Sequence, residues 1–567
     1  MALLFPQRHF LCLYFVDFII MIDFVAKTTL LLLICSYQFF PQMNGVFTNT
    51  EKSISETNIK RHMQFLASDI FEGRGTGTTG GNLAAKYIAL EYSKYGLKPC
   101  SNENNYYQYI PMHGSFALPT SELKLFSGNN ETTLKLNEDY LLFNSGQQTF
   151  VPIPLPLVFV GYGIIAPEYD YNDYQSIDVE RKIVVFLEGE PKSDDPEYFK
   201  GKIPTVYSSP NAKQRLAISR GAAGCILISD EKKWKDKEQQ FSFEDITLAY
   251  SVSGNLSVLL NPEIAYEIFK NAKYSFDDVI KMKEESKLIS FPLQTKVSFK
   301  GEFKQRDFIA SNIVGLVEGS DDELKNSYLI ISAHYDHLGI GTPINGDSIY
   351  NGAMDNAIGV SVLLELARIF SQSDIHPKRS ILFIALTGEE KGWLGSSYYT
   401  DHPLFPLHKT ISDVNIDGIA LYKGLQAVVG VGSEYSTLDK FLQDAASQLD
   451  ISIENIPPQF KRFEAFSQSD QVAFATAGIP SILVLEGLKH KNLSDEKVLE
   501  AFIDYMIHTY HSPFDDLNQD ISYEAAVEHL ELLYQFCYSL AESTEVPQWK
   551  PGSPYINARL RSIAEGK

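Results

Sequence analysis

Apolar residues recur at helical spacing at Ile59, Met63, Leu66 and Ile70, with Phe65 beside them, which predicts an amphipathic helix starting near Ile59. A second helical pattern runs from Ala84 to Tyr95 and closes at Gly96, the residue type that most easily adopts the left-handed C-cap. Between them lies Glu72-Gly-Arg-Gly-Thr-Gly-Thr-Thr-Gly80. It follows a helix rather than a strand and lacks the lysine of a phosphate loop, so it reads as a structural turn.

From about 115 to 305 the texture changes to short apolar runs separated by turn residues. Leu157–Val160, Ile183–Leu187 and Cys225–Ile228 predict strands, and Ala212–Arg220 predicts one helix. No cluster of metal-ligand residue types falls in this region. Beyond Asn312 strands and helices alternate. Ile313–Val317, Tyr328–Ser332, Ser380–Leu386, Val414–Ile416, Ala427–Val431 and Ser481–Leu485 read as strands; Ala357–Phe370, Leu438–Ala446 and Ala525–Ser539 read as helices. That alternation predicts an α/β fold with a mostly parallel central sheet flanked by helices. In such sheets ligands bind beyond the carboxyl ends of the strands.

Those strand ends carry the candidate chemistry. His334 and Asp336 close one strand, Asp355 lies before a helix, Glu389 and Glu390 follow another strand, Asp417 follows a third, and His511 sits in a late loop. Asp355, Glu390 and Asp417 with neutral His334 and His511 suit two Zn²⁺ ions with positions left open for substrate. Glu389, beside ligand Glu390, is placed to take a proton from the attacking water. Asp336, two residues past His334, is expected to accept the imidazole's other N–H. Taken singly each residue has an ordinary reading: a strand-end histidine, a solvated Glu-Glu, an N-cap, a turn aspartate. It is their common placement at one sheet edge that points to a metallohydrolase.

Composition narrows the class. At 567 residues the chain is expected to fold as more than one domain, and its formal net charge of −22 disfavours nucleic acid and anionic membranes as partners. Residues 1–45 read as a signal peptide or N-terminal extension, with Thr28–Phe40 after Lys27 as the apolar core, so the mature protein is expected to be exported and without a stable membrane span. Met21 is an alternative start, and a retained N-terminal anchor is the other reading of the segment. Five cysteines occur; Cys100, Cys225 and Cys537 are too widely spaced for a disulfide framework or a zinc knuckle and read as small buried residues.

His334-Tyr-Asp336, Gly352-Ala-Met-Asp-Asn356, Gly388-Glu-Glu390, Asp417-Gly418 and Tyr510-His-Ser-Pro513, in this order, resemble the co-catalytic zinc exopeptidases that include leucyl aminopeptidases, aminopeptidase Y and glutamate carboxypeptidase II. Leu66-Ala-Ser-Asp69 with Glu72-Gly-Arg74 is similar to the opening of many members. The resemblance implies that Asp355 bridges two Zn²⁺ ions, that His334 and Asp417 complete one and Glu390 and His511 the other, and that Glu389 is the base, acting on peptide substrates. It also implies a catalytic domain in two parts, 52–115 and 305–545, with a protease-associated (PA) insert over 116–304 and a tail over 546–567. Ser469-Asp470-Gln471 departs from the Ser-Asp-His of many members, a change expected to bear on the substrate pocket. Aminopeptidase is the leading activity. A zinc carboxypeptidase using Lys461 and Arg462, a glutaminyl cyclase, and a receptor-like binding protein stay open.

Overall fold

The computed structural model describes residues 54–566 apart from 102, 147, 194, 196–197, 200–204, 232–233, 235–242 and 457–464. The N-terminal segment with its signal-peptide reading, and Lys461 and Arg462, lie outside the described residues. Among the described residues no helix is long and apolar enough to cross a membrane.

The larger sheet contains β1 (Tyr107–Ala117), β2 (Asp245–Leu248), β3 (Phe303–Val317), β4 (Tyr328–His334), β5 (Ser380–Leu386), β6 (Thr410–Asn415), β7 (Ala427–Val431), β8 (Ser452–Glu454) and β9 (Ser481–Glu486). Their spatial order is β2-β1-β3-β5-β4-β6-β9-β7-β8, with Lys98–Pro99 added beside β3. The central strands β5, β4, β6 and β9 run parallel. On both sides of them the pairing turns antiparallel, β3 against β5 and β7 against β9. The parallel centre is where the sequence is continuously apolar: every residue of β5, Ser-Ile-Leu-Phe-Ile-Ala-Leu, is buried. Such a strand needs cover on both faces.

Helices α1 (Glu56–Leu66), α2 (Thr79–Tyr95), α3 (Ile358–Gln372), α4 (Leu438–Gln448), α5 (Asp495–His508) and α6 (Tyr523–Glu542) surround this sheet. α1 packs on α3 and α6, and α2 on α3 and β3. Ile59, Met63 and Leu66 form the buried stripe of α1 as their spacing predicts, but Ile70 is exposed. The helix stops at Leu66, so Ile70 leaves the face that the periodicity assigned to it. Ser55 accepts from the Asn58 N–H at the start of α1, and Gly96 ends α2 with φ +80°. Two elements carry weak sequence signals: the long β1–β3 pairing, which joins residues on either side of the β-rich region, and α5, whose only buried residue is Val498.

The β-rich region folds into its own eight-stranded sheet. From one edge the order is Asn130–Leu134, Glu122–Ser127, Phe291–Lys300, Phe150–Phe159, Ile183–Leu187, Gly224–Ile228, Leu256–Leu260 and Tyr140–Leu142. Alternate residues serve opposite faces: Ile183, Val185 and Leu187 enter one apolar cluster, Val184 and Phe186 another. One strand crosses out of this unit. β2 pairs antiparallel with β1 and so belongs to the larger sheet.

Candidate metal centre

Three parallel strands deliver the site. His334 is the last residue of β4, Glu389 and Glu390 follow β5 by a short left-handed turn at Gly388, and Asp417 follows β6. Asp355 comes from the loop leading into α3 and His511 from the loop after α5. Sequence-distant residues therefore meet because parallel strands expose their carboxyl ends at one edge.

His334 Nε2 lies 3.3 Å from Asp355 Oδ1 and 3.2 Å from Asp417 Oδ1. His511 Nε2 lies 3.2 Å from Asp355 Oδ2 and 3.2 Å from Glu390 Oε2. The two groups share Asp355, which turns one oxygen to each. Ligands held about 2.0–2.1 Å from a tetrahedral ion stand roughly 3.3 Å apart, so these separations fit two adjoining zinc positions. The tautomer fits as well. His334 Nδ1 donates to the main-chain carbonyl of Asp336 at 3.1 Å, which leaves the Nε2 lone pair directed at the carboxylates. Glu389 offers a carboxylate oxygen within 4.8 Å of a His334 nitrogen and a Glu390 oxygen.

The electrostatics agree with this arrangement. Desolvation opposes the charged form of His334, but Asp417 and Asp355 overcome it and raise its proton affinity well above the ordinary histidine range. His511 is raised in the same way against desolvation by Glu390 and Asp355. Glu389 is pushed well above the ordinary carboxyl range by burial and then by Glu390 and Asp417. A field that favours a proton between these groups also favours a cation there.

The Asp336 carboxylate does not take the expected part. Its Oδ1 is 4.0 Å from His334 Nδ1, and it is the main-chain carbonyl of the same residue that accepts the imidazole N–H. The carboxylate instead accepts from Thr76 Oγ1 at 2.8 Å and from the Glu389 N–H at 3.2 Å. Asp336 thus steadies the turn that carries Glu389. Gln471, where many family members have histidine, lies in the core. It is fully buried, accepts from Asn415 Nδ2 at 2.8 Å and donates to the Phe466 carbonyl at 2.8 Å, so it braces the end of β6.

Residues 312–537 match Peptidase family M28. This segment is an M28 peptidase domain. Among curated relatives, the chain is 42% identical over 86 residues to a "Probable zinc metalloprotease" of Pyrenophora tritici-repentis, covering 15% of this chain and 19% of that protein. It is 30% identical over 135 residues to "Aminopeptidase NAALADL1" of Mus musculus, covering 23% of this chain and 16% of that protein. The chain therefore spans less than a fifth of the length of either relative. Among solved structures, an aminopeptidase from Aneurinibacillus sp. strain AM-1 superposes with a TM-score of 0.51 at 18% identity, over 88% of this chain and 96% of that one. That likeness is one of fold.

All five ligand candidates of the M28 domain fall inside the matched segment and converge. Three further residues escaped the sequence reading. His337 Nδ1 lies 2.6 Å from Glu390 Oε1; a carboxylate only accepts, so Nδ1 carries the proton and holds the oxygen of Glu390 that does not face His511. Asp515 accepts the Met354 and Asp355 N–H groups at 2.9 and 3.0 Å and shapes the loop that presents Asp355. Tyr510 stacks on His511 with ring centroids 3.9 Å apart. Tyr510 stood in a quoted motif, and His337 and Asp515 lie one and two residues beyond quoted ones, yet adjacency in sequence does not tell which side chain turns inward.

Proposed function

We propose that this chain is a two-zinc aminopeptidase that removes N-terminal residues from peptides. The observation that carries the reading is the shared carboxylate of Asp355, one oxygen toward His334 and Asp417, the other toward His511 and Glu390. In this reading His334, Asp355 and Asp417 hold one ion, and Asp355, Glu390 and His511 the other. Two such ions, when bound, would supply Lewis-acid polarisation of the scissile carbonyl and activation of water. Glu389 is placed to take a proton from the attacking water on its carboxylate and to return it to the departing amine. Asp336 keeps Glu389 in reach by binding its main-chain N–H.

The eight-stranded unit between β1 and β3 is assigned as a PA-type module, and β2 is the strand by which it reaches the catalytic sheet. Arg306 links the two parts, donating to Glu244 from Nη2 at 2.6 Å and to the Gly77 carbonyl at 2.8 Å. Residues 1–45 are assigned as an export signal, with the enzyme acting outside the cytosol.

The test is a panel of free-amine and N-blocked peptides, assayed with and without chelator beside metal analysis. Chelator-sensitive cleavage of free-amine substrates with two zinc ions per chain is the expected result. Cleavage of N-blocked peptides alone assigns the site to a carboxypeptidase, and absence of both metal and cleavage removes the catalytic reading.

A further inference from the structure

The glycine-rich turn between α1 and α2 reaches further than a connection needs to. Glu72, Gly73 and Arg74 have φ of +49°, +67° and +49° in succession. Left-handed backbone at two non-glycine residues persists only where the surroundings over-determine it. At Gly73 a Cβ would stand 2.2 Å from the Tyr350 carbonyl oxygen, so the turn is pressed against the loop leading to Asp355.

Arg74 supplies the over-determination. Its side chain is fully buried. Nε donates to the Tyr335 carbonyl at 2.7 Å, Nη1 to the Leu66 and Asn351 carbonyls at 2.9 and 2.5 Å, and Nη2 to the Gly352 carbonyl at 2.8 Å. All four are main-chain acceptors. Tyr335 is the residue after His334, and Asn351 and Gly352 open the loop that carries Asp355. The main chain of the turn adds to the tie: the His337 N–H donates to the Arg74 carbonyl at 3.3 Å, and Thr76 Oγ1 donates to Asp336 Oδ2 at 2.8 Å. A buried guanidinium also needs negative charge nearby. Burial draws its proton affinity down to about 10, against the pull of Asp355, Asp515, Asp336 and Glu390.

We propose that Arg74 and Thr76 are positioning residues of the metal centre, fixing the separation of the His334 strand end from the Asp355 loop. The planar fork of Arg74 reaches carbonyls on three segments at once; a lysine ammonium offers a point charge with no fixed fork. The inference rests on the reading of this site as a metal centre.

The test uses the full chain and Zn²⁺ titrated against a chromophoric chelator, with melting of the metal-free protein measured in parallel. Both variants are expected to melt somewhat below the wild type without metal, because each leaves buried acceptors without a donor; in the folded fraction Arg74→Lys is expected to bind zinc at least about tenfold more weakly, and Thr76→Val several-fold more weakly. Wild-type zinc affinity in a folded Arg74→Lys protein overturns the proposal. So does a loss of affinity that disappears once the unfolded fraction of the metal-free protein is allowed for, which is the mark of a structural role alone. If Arg74→Lys does not fold, Thr76→Val decides: weakened zinc binding supports the proposal and unchanged binding overturns it. A wild-type chain that binds no zinc refutes the metal-centre reading itself, a result distinct from either.

Discussion

Asp355 meets His511 through Oδ2 at 3.2 Å, on the oxygen opposite the one that faces His334. A single carboxylate between two imidazoles couples the two halves of the site. Asp355→Asn keeps the shape of the side chain but removes its negative charge and leaves only one oxygen to coordinate, so both ions are expected to weaken together. Metal analysis after gel filtration should find both sites depleted. Retention of two zinc ions per chain contradicts the bridging assignment.

Glu389 lies within reach of His334 and Glu390, and in the proposed reading it is the base and not a ligand. Glu389→Gln is therefore expected to keep its metal content and its substrate affinity while kcat falls by roughly 10²–10⁴. Metal analysis and steady-state kinetics on one preparation check this. A loss of metal in step with activity makes Glu389 a ligand rather than the base.

Behind the Asp417 loop, buried His529 accepts the Ala420 N–H on Nδ1 at 3.1 Å. Burial lowers its proton affinity from the ordinary 6.5 to about 4. The unfolded chain binds that proton first as the pH falls, so the contribution of His529 to stability is present above about 6.5 and is lost as the pH drops toward about 4. Denaturant melts of the metal-free protein at about pH 7 and about pH 5 should show the wild type losing about 2 kcal/mol more than His529→Gln. Equal losses in the two proteins remove His529 as the source.

Gly80 opens α2 where the chain passes over the carbonyl of Phe71. A Cβ there would lie 1.7 Å from that main-chain oxygen, a contact no rotamer can relieve. Gly80→Ala is expected to destabilise the protein by about 2–4 kcal/mol. Thermal melting checks it; an unchanged midpoint means that the α2 start can move aside.

The catalytic fold was largely legible because its strands bury both faces. Ser380–Leu386 and Ala427–Val431 are strands with the bounds that their apolar runs predict. Local periodicity was less reliable where a helix ended early, as at Ile70, and was silent on α5, which packs little apolar surface. The β-rich region was legible as strands, but not that β2 leaves it to join β1. Pairing between strands more than a hundred residues apart has no local signature.

At the site, the residue types and their order at strand ends were determined by the sequence itself, since parallel strands expose their carboxyl ends at one edge whatever the details of packing. Which oxygen of Asp355 faces which imidazole, that the Asp336 carbonyl rather than its carboxylate takes the His334 N–H, that Gln471 turns into the core, and that Arg74 spans three segments were decided only by the tertiary structure. Hydrogen bonds depend on directions fixed to a fraction of an ångström by long-range packing, and a one-dimensional pattern records residue types without those directions.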